Sequence, residues 1–554
     1  MKSSVESVQV QPSQSIDKAT VKVITAASIG TVFEWYEFTL YGALAAALAA
    51  NFFSGLDAST AFVFALLTFA VGFIMRPVGA IVFGRIGDQI GRKKTFLITI
   101  VIMGVATVGV GLLPTYESIG ITAPILLITL RMLQGLALGG EYGGAATYVS
   151  EHSKSHNRGF NTAWISGTGT VGLLMAFAVV LGSRAISGDE FNDWGWRIPF
   201  LASVVLLGIS VIIRMGMEES PAFKKMKEEK RLSKAPLTET FLDKTNAKRL
   251  VIALFGICGG MTCAYYMAVL YPTFFMTQSL KIDPQQANTT LTLALLAGLP
   301  MFLFAGWLCD RIGRKPVLLC GFLLSAVFMF PIYKGVAAYG NPDLVAAQER
   351  VPVSLTINPE QCSFLFNPTG TRVFKSPCDV SKQALTASGV SYVVQESAEV
   401  TASIKIGTAE INVANLEGLS DAEVKAKAAA LKAQVSKILI DQGFPQTANP
   451  EHFQQGKVLV LLIALVFCGV LTLTPVAPML VEMFPTKIRY TSMSFPYHFA
   501  SGWIGGLLPT VAFAMSAQAG NIYQGLWYPL AWICISLIIG LLFLKETKDV
   551  DINL

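Results

Sequence analysis

The sequence predicts an all-α polytopic membrane protein with about twelve transmembrane helices in two six-helix halves. A small extracytoplasmic α/β insert interrupts the second half. The composition, the succession of apolar segments and a loop that recurs six segments later carry that reading. Apolar residues make up 53% of the 554 and charged residues only 14%, and the mean hydropathy is +0.55, outside the range of water-soluble domains. A bilayer-crossing helix takes about 20 apolar residues. Such segments lie near 20–50, 60–83, 95–113, 122–150, 161–183, 196–216, 250–278, 288–309, 317–339, 457–483, 490–517 and 523–544.

The opening MKSSVESVQVQPSQSIDKA is polar and lacks an apolar core followed by a small-residue cleavage site. It is expected to be a cytoplasmic tail (1–19), with the first helix inserting the chain. Orientation follows from lysine and arginine in the short loops. Loops after even-numbered segments hold Arg85, Arg92, Lys93 and Lys94; Lys154 and Arg158; the run from Lys224 to Arg231; Arg311, Arg314 and Lys315; and Lys487 and Arg489. Loops after odd-numbered segments are nearly bare, with Arg184 and Lys281 as exceptions. Both termini are therefore expected in the cytoplasm, with an N-terminal half at 20–216, a cytoplasmic linker at 217–249, a C-terminal half at 250–339 and 457–544, and a tail at 545–554. The net charge of +6 reflects this loop asymmetry and gives no reason to expect a nucleic-acid partner.

The polar stretch 340–456 follows the ninth segment and should lie outside the cell membrane. VPVSLTI, VSYVVQ and VTASIKIG have strand character, and DAEVKAKAAALKAQVSKILI has helical spacing. The insert is expected to fold as its own module, joined by linkers at Gly340–Asp343 and Gln454–Gly456. Six cysteines are scattered over the spans, whereas Cys362 and Cys378 sit together in the insert, where a disulfide fits an oxidising compartment. No metal-ligand spacing occurs.

The loop GRIGDQIGRKK (Gly84–Lys94) recurs as GWLCDRIGRKP (Gly306–Pro316), sharing Gly-x-x-x-Asp-x-x-Gly-Arg-Lys. Duplicated six-helix halves are the organisation expected of a transporter with a central site.

Charges at bilayer depth then become functional candidates, because each costs at least ~2.5 kcal/mol on insertion scales. Glu34 and Glu37 share one face of the first helix, with Tyr41 a turn beyond Glu37. On the fourth helix Gln134 and Glu141 share a face, and Arg131 lies a turn from Gln134. An arginine at that depth must be matched by carboxylates or by an anionic ligand. Arg131 is thus expected to attract a substrate carboxylate, with Glu34, Glu37 or Glu141 carrying a proton; the competing reading is a structural ion pair between spans one and four. Arg76 is either a second anion contact or a partner of Glu37. Tyr265, Tyr266 and Tyr271 on the seventh helix are either substrate contacts or packing, as are Trp35 and Tyr36. His498 reads as a satisfied packing histidine, with a group titrating at about pH 6.5 as the alternative, and Arg197 as an interface anchor or an entry-site cation.

The paired loops resemble the signature of the major facilitator superfamily. EWYEFTLYG (Glu34–Gly42), RPVGAIVFG (Arg76–Gly84), RMLQGLALGGEYGG (Arg131–Gly144), WRIPF (Trp196–Phe200), EESPAF (Glu218–Phe223) and FPTKIRYTSMSFPYHF (Phe484–Phe499) are similar to its metabolite:proton symporter branch. Gln89, Glu37 and His498 depart from the residues common there. The long insert is similar to that of haloacid and short-chain monocarboxylate permeases. The resemblance implies the major facilitator fold. It also implies proton-coupled import of a small organic anion by alternating access, most simply acetate, propionate or a haloacetate. A dicarboxylate or oxoacid symporter and a transporter-like sensor with a ligand-binding insert are the alternatives. Asp88, Arg92, Asp310 and Arg314 are implied as gate residues, forming pairs near water worth a few tenths to about 1 kcal/mol each. The expected setting is a bacterial inner membrane, with the protein a functional monomer and the proton its coupling ion. No cofactor is expected, and no Walker loop, nucleophile elbow or triad suggests an enzyme.

Overall fold

The computed structural model describes residues 18–54, 58–363, 365, 372–398 and 401–552; the expected tail lies outside the described residues except for its last two positions. Among the described residues, ten helices are long and apolar enough to cross a membrane. Spans three to six are Arg92–Leu112, Thr122–Glu151, Arg158–Ser187 and Arg197–Met215. Span seven opens with Lys244–Val269 and continues through Tyr271–Phe274 and Phe275–Ser279. Spans eight to twelve are Pro284–Ile312, Arg314–Gly340, Gln455–Met483, Arg489–Ala519 and Trp527–Phe543. Spans one (Lys18–Ala43) and two (Ala58–Ile90) complete the bundle and carry Glu34, Glu37, Arg76 and Asp88. Span seven starts inside the expected linker, whose remainder forms two short helices, Pro221–Glu228 and Pro236–Phe241.

The packing follows the duplication. In the first half span one packs on five, two on four and three on six; the counterparts six spans on, seven with eleven, eight with ten and nine with twelve, pack likewise. The halves meet where span two packs on eleven and span eight on five. Spans two and eight are the ones that end in the repeated loops. Spans seven and eleven are also irregular, with π-helical stretches at Leu254–Cys258, Phe275–Ser279 and Ala500–Gly505. Such bulges shift side-chain register and concentrate at functional sites.

The insert is a four-stranded sheet of order β2-β1-β3-β4, comprising β1 (Val353–Ile357), β2 (Val393–Glu396), β3 (Ala402–Ile406) and β4 (Ala409–Val413). Parallel β1 and β2 need a crossover, supplied by the helix Pro377–Ala387. β3 and β4 are antiparallel and turn through Gly407 at φ 57°, a conformation costly for residues with a Cβ. Val353, Leu355 and Ile357 alternate inward along β1. The outer helix Asp421–Asp441 starts in a capping box of Ser420 and Glu423. The three expected strands and this helix are present; β4 and the crossover helix were not anticipated. The Cys362–Cys378 disulfide is formed, with Cα atoms 5.3 Å apart.

The expectation of a separately packed module needs correction. One buried apolar cluster runs from spans seven to twelve into the sheet, including Leu344, Leu355, Ile404 and Tyr392. Tyr392 donates its N–H to Gly520 O (2.7 Å) and its hydroxyl to Ala517 O (2.6 Å) at the end of span eleven. Beyond span seven, Lys281 O accepts from Ala448 N (2.9 Å), and Leu280 O accepts from Asn341 Nδ2 (2.9 Å). The insert is therefore built onto spans seven and eleven.

Closing a loop of about 17 residues with a disulfide contributes roughly 3 kcal/mol. Replacing Cys362 and Cys378 together by serine is expected to raise proteolytic cleavage within the insert by about two orders of magnitude when cleavage tracks opening. Unchanged cleavage would show that the packing holds the insert without the bridge.

Candidate functional site

At the centre of the bundle a closed chamber of about 20 Å³ lies between the halves. Glu34 and Trp35 of span one and Arg76 of span two form one side; Tyr265 and Tyr266 of span seven and Tyr497 of span eleven form the other. About one water fits such a space, so the structure shows the chamber shut around its polar groups. Among the described residues, Glu34 Oε2 and Arg76 Nε are buried without a hydrogen-bond partner. The Arg76 guanidinium lies 4.7 Å from the Phe73 ring centroid and 5.4 Å from that of Phe38, so aromatic faces support part of its charge. Trp35 meets Tyr265 edge-on at 6.3 Å across the interface, and Tyr142 stacks on Tyr497 at 3.8 Å. Opening the chamber must part these rings.

Arg131 is not in the chamber wall. It lies within the first half over the Tyr41 ring at 4.6 Å and donates to Gln134 Oε1 (3.1 Å), while Gln134 donates to Thr107 (2.7 Å). Glu37 belongs to this group, with Thr107 and Arg131 as the leading polar influences on it. Glu141 is fully engaged, accepting from Thr99 (3.0 Å) and from both terminal nitrogens of Arg214. Its partner is therefore span six and not span one. Arg214 was missed because an arginine near the end of an apolar run reads as an interface anchor. Arg197, by contrast, is anchored: it donates to Gly111 O and Leu113 O at the end of span three. Tyr271 packs with Phe275, Tyr333 and Phe513, away from the chamber. His498 is fully buried with neither ring nitrogen hydrogen-bonded, so it packs but is not satisfied.

At the basic end of the bundle, the repeated loops clamp the halves together. Asp88 accepts from Tyr490 N (3.1 Å), Thr491 N (3.0 Å) and Thr491 Oγ1 (2.8 Å), at the start of span eleven. Asp310 accepts from Gly159 N (2.8 Å) and Phe160 N (2.7 Å), at the start of span five. Free N–H groups and the helix dipole make each helix start an anion site. Arg92 lies 3.7 Å from Asp88 and 3.6 Å from Glu151, which also pairs with Arg489 of the other half at 2.8 Å. Arg314 lies 3.4 Å from Asp310 and 3.1 Å from Glu482, which pairs with Arg158 at 2.6 Å. Glu219 accepts from the backbone N–H groups of Arg92 and Lys93, and Glu546 from those of Arg314 and Lys315. Residues 545–552 of the expected tail are thus docked, with Ile552 O accepting from Arg489 and Thr486; 553 and 554 lie outside the described residues.

The expectation that these pairs sit near water is wrong. Asp88 and Arg314 are 0% exposed and Arg92 1%, so leaving one partner unpaired costs about 3–5 kcal/mol, well beyond the surface-pair value. Glu151, Glu482 and Arg489 were missed as gate members. The signal was present: Glu151 precedes Arg158, and Glu482 precedes Arg489, by the same interval.

Residues 23–240 match the family described as Sugar (and other) transporter, and residues 252–347 match Major Facilitator Superfamily. The Shikimate transporter of Escherichia coli (strain K12) is 37% identical over 315 residues, covering 56% of this chain and 71% of its own. The chain belongs to the major facilitator superfamily. The Proline/betaine transporter of the same strain is 37% identical over 321 residues, and the chain spans 64% of its length. A solved structure of the proton:xylose symporter XylE shares the fold, with a TM-score of 0.59 at 15% identity, covering 97% of this chain and 98% of the other.

Two outcomes test the clamp and the buried pair. Cys309 is buried beside Asp310. In a variant whose other free cysteines are serine, Asp310→Asn is expected to speed alkylation of Cys309 in detergent several-fold as the clamp loosens; an unchanged rate would mean Asp310 does not hold the gate. Glu141→Gln leaves Arg214 buried without its carboxylate, at a cost of about 3–5 kcal/mol. A clear drop in the unfolding temperature is expected, whereas Glu34→Gln should leave it near that of the parent.

Proposed function

We propose that the protein is a proton-coupled secondary transporter importing a small organic carboxylate by alternating access, with Arg76 as the anion contact and Glu34 as the proton carrier. The observation that carries this reading is one closed chamber between two duplicated halves, walled by one arginine and one glutamate. Net charge cannot be left in such a place at low cost. The other intramembrane charges of the first half lie apart from the chamber wall, Glu141 paired with Arg214 and Glu37 in the group around Arg131. In this reading the chamber without substrate is neutral, with Arg76 positive and Glu34 negative. A monovalent carboxylate restores neutrality only if Glu34 takes a proton at the same time. Anion and proton then enter and leave together, one for one. A carboxylate on Arg76 also gains charge-assisted hydrogen bonds.

The compounds in the relatives' names, proline, betaine and shikimate, each carry a carboxylate. A short-chain monocarboxylate is the reading we favour within that class, because of the resemblance of the insert. With the basic loops facing the cytoplasm, the closed gate lies inside the cell and the insert outside, in a bacterial inner membrane.

The test is uptake into proteoliposomes of radiolabelled acetate, propionate, chloroacetate, succinate, 2-oxoglutarate and shikimate, with and without an inward proton gradient. The gradient should drive accumulation of at least one. Glu34→Gln should abolish accumulation while keeping anion exchange. Arg76→Lys should raise KM about tenfold, roughly 1.4 kcal/mol, because lysine lacks the planar fork. Gradient-driven accumulation by Glu34→Gln equal to the parent would remove it as the carrier.

A further inference from the structure

The same two helices that wall the central chamber continue to a second, larger cavity at the insert end. It measures about 580 Å³, within the range of small-molecule pockets, about 300–1,000 Å³. Span seven contributes Tyr265 and Tyr266 to the chamber and Phe274 and Gln278 to this cavity; span eleven contributes Tyr497 and Ser501 to the chamber, then Phe513 and Ser516. At 1.5 Å per residue, the two spaces are about 15–25 Å apart along these helices. The insert forms the opposite wall, through Tyr392 and Lys432.

The charges in the wall are unbalanced. Lys281 and Lys432 both line the cavity, and among the described residues no carboxylate does. Asp283, two positions from Lys281, is taken by the start of span eight, accepting from Gln285 N (2.9 Å) and Gln286 N (3.1 Å). The Lys281 ammonium gives one hydrogen bond to Ala387 O (2.8 Å) and has capacity for three. Burial, and then the like charge of Lys432, hold it below the ordinary lysine range. Lys281 is also one of two non-glycine residues with positive φ among the described residues, at 55°. Non-glycine residues in that region are held there by their surroundings, often where a side chain must be aimed. Phe274, Phe513 and Tyr392 give the rest of the wall an apolar character suited to a carbon skeleton.

We propose that this cavity is an antechamber that binds the small organic carboxylate through Lys281 and Lys432 before it passes to the central chamber. The proposal rests on the transport reading for the identity of its ligand. It gives the insert a function: raising the local concentration of substrate at the mouth. Two cations facing a pocket without a counter-ion favour an anion in just that orientation, and the two-lysine wall is divided between the insert and the bundle, so neither forms the site alone.

Two measurements test it. In proteoliposomes, Lys432→Gln is expected to raise the KM for propionate at least threefold with the maximal rate unchanged, and Lys432→Glu to raise it further. Lys432 is exposed, so folding is not at stake. The control Lys427→Gln with Lys437→Gln removes two exposed charges from the same helix outside the cavity, and should leave KM within error. An equal rise in the control, or no rise in Lys432→Glu, overturns the antechamber while leaving transport intact. If no carboxylate is transported at all, the transport reading fails, and the second measurement decides the site. Saturation-transfer NMR with propionate on the purified Arg76→Gln protein should retain a signal that Lys432→Glu or Lys281→Gln removes. A signal indifferent to both lysines, or absent in Arg76→Gln, overturns the proposal.

Discussion

A carboxylate seated on the first backbone N–H groups of a helix in the opposite half, once from each side, is the contact on which the arrangement of this bundle depends. Asp88 holds the start of span eleven and Asp310 the start of span five. Both helix starts would otherwise be buried with unpaired donors, which no compact structure tolerates cheaply. The clamp thus satisfies the helix termini of one half with charges from the other. Arg92 and Arg314 then neutralise the aspartates, and Glu151 and Glu482 link those arginines to Arg489 and Arg158 across the interface. The closed basic end follows from this reciprocity, and so does the packing of span two on eleven and span eight on five.

The burial of these groups changes how such a gate works. Exposed ion pairs can break one at a time at little cost. Buried pairs whose partners also cap helices must separate together, with water entering as they do, because a lone buried charge is the expensive state. Under the transport reading proposed above, the clamp is a two-state gate, and the energy to open it comes from changes in the chamber. That chamber holds an interface of aromatic rings, Trp35 on Tyr265 and Tyr142 on Tyr497, between the same two halves. Movement that separates the rings also strains the clamps.

The sequence made the architecture legible because hydropathy reports burial in lipid directly and because the duplication repeats a rare string of residues. It also showed which side chains are costly at bilayer depth, and the structure buries Glu34, Glu37, Arg76, Arg131 and Glu141. What it could not show is which of them face one another. Glu141 and Arg131 share span four, and helical spacing alone suggested a site between spans one and four. The structure pairs Glu141 with Arg214 on span six, a residue whose position near a helix end mimics an anchor. Arg76 lines the chamber because that part of span two packs on span eleven, where Phe73 and Pro77 lie against Gly502. Such choices depend on helix rotation, which periodicity fixes only relative to the helix's own axis. β4 escaped notice for a different reason: a tight turn at Gly407 divides a stretch that reads as one strand and a loop.

The insert breaks the symmetry in one place, and that place is informative. It joins spans nine and ten, yet it docks on spans seven and eleven, through Tyr392 on Ala517 and Gly520 and through the Lys281 region. Those two spans carry the π-helical stretches and line the central chamber. Irregular turns let a helix bend or rotate locally without losing all its hydrogen bonds. An insert fixed to the ends of the two helices that carry these irregular turns is coupled to any local change in them. Any ligand held between insert and helices then biases their position by its differential affinity for the two arrangements. The insert's apolar core is continuous with that of the second half, so this bias is transmitted through packed side chains and not through a flexible tether. Under the transport reading proposed above, the extra module sits where it can sense, and be moved by, the step that opens the chamber.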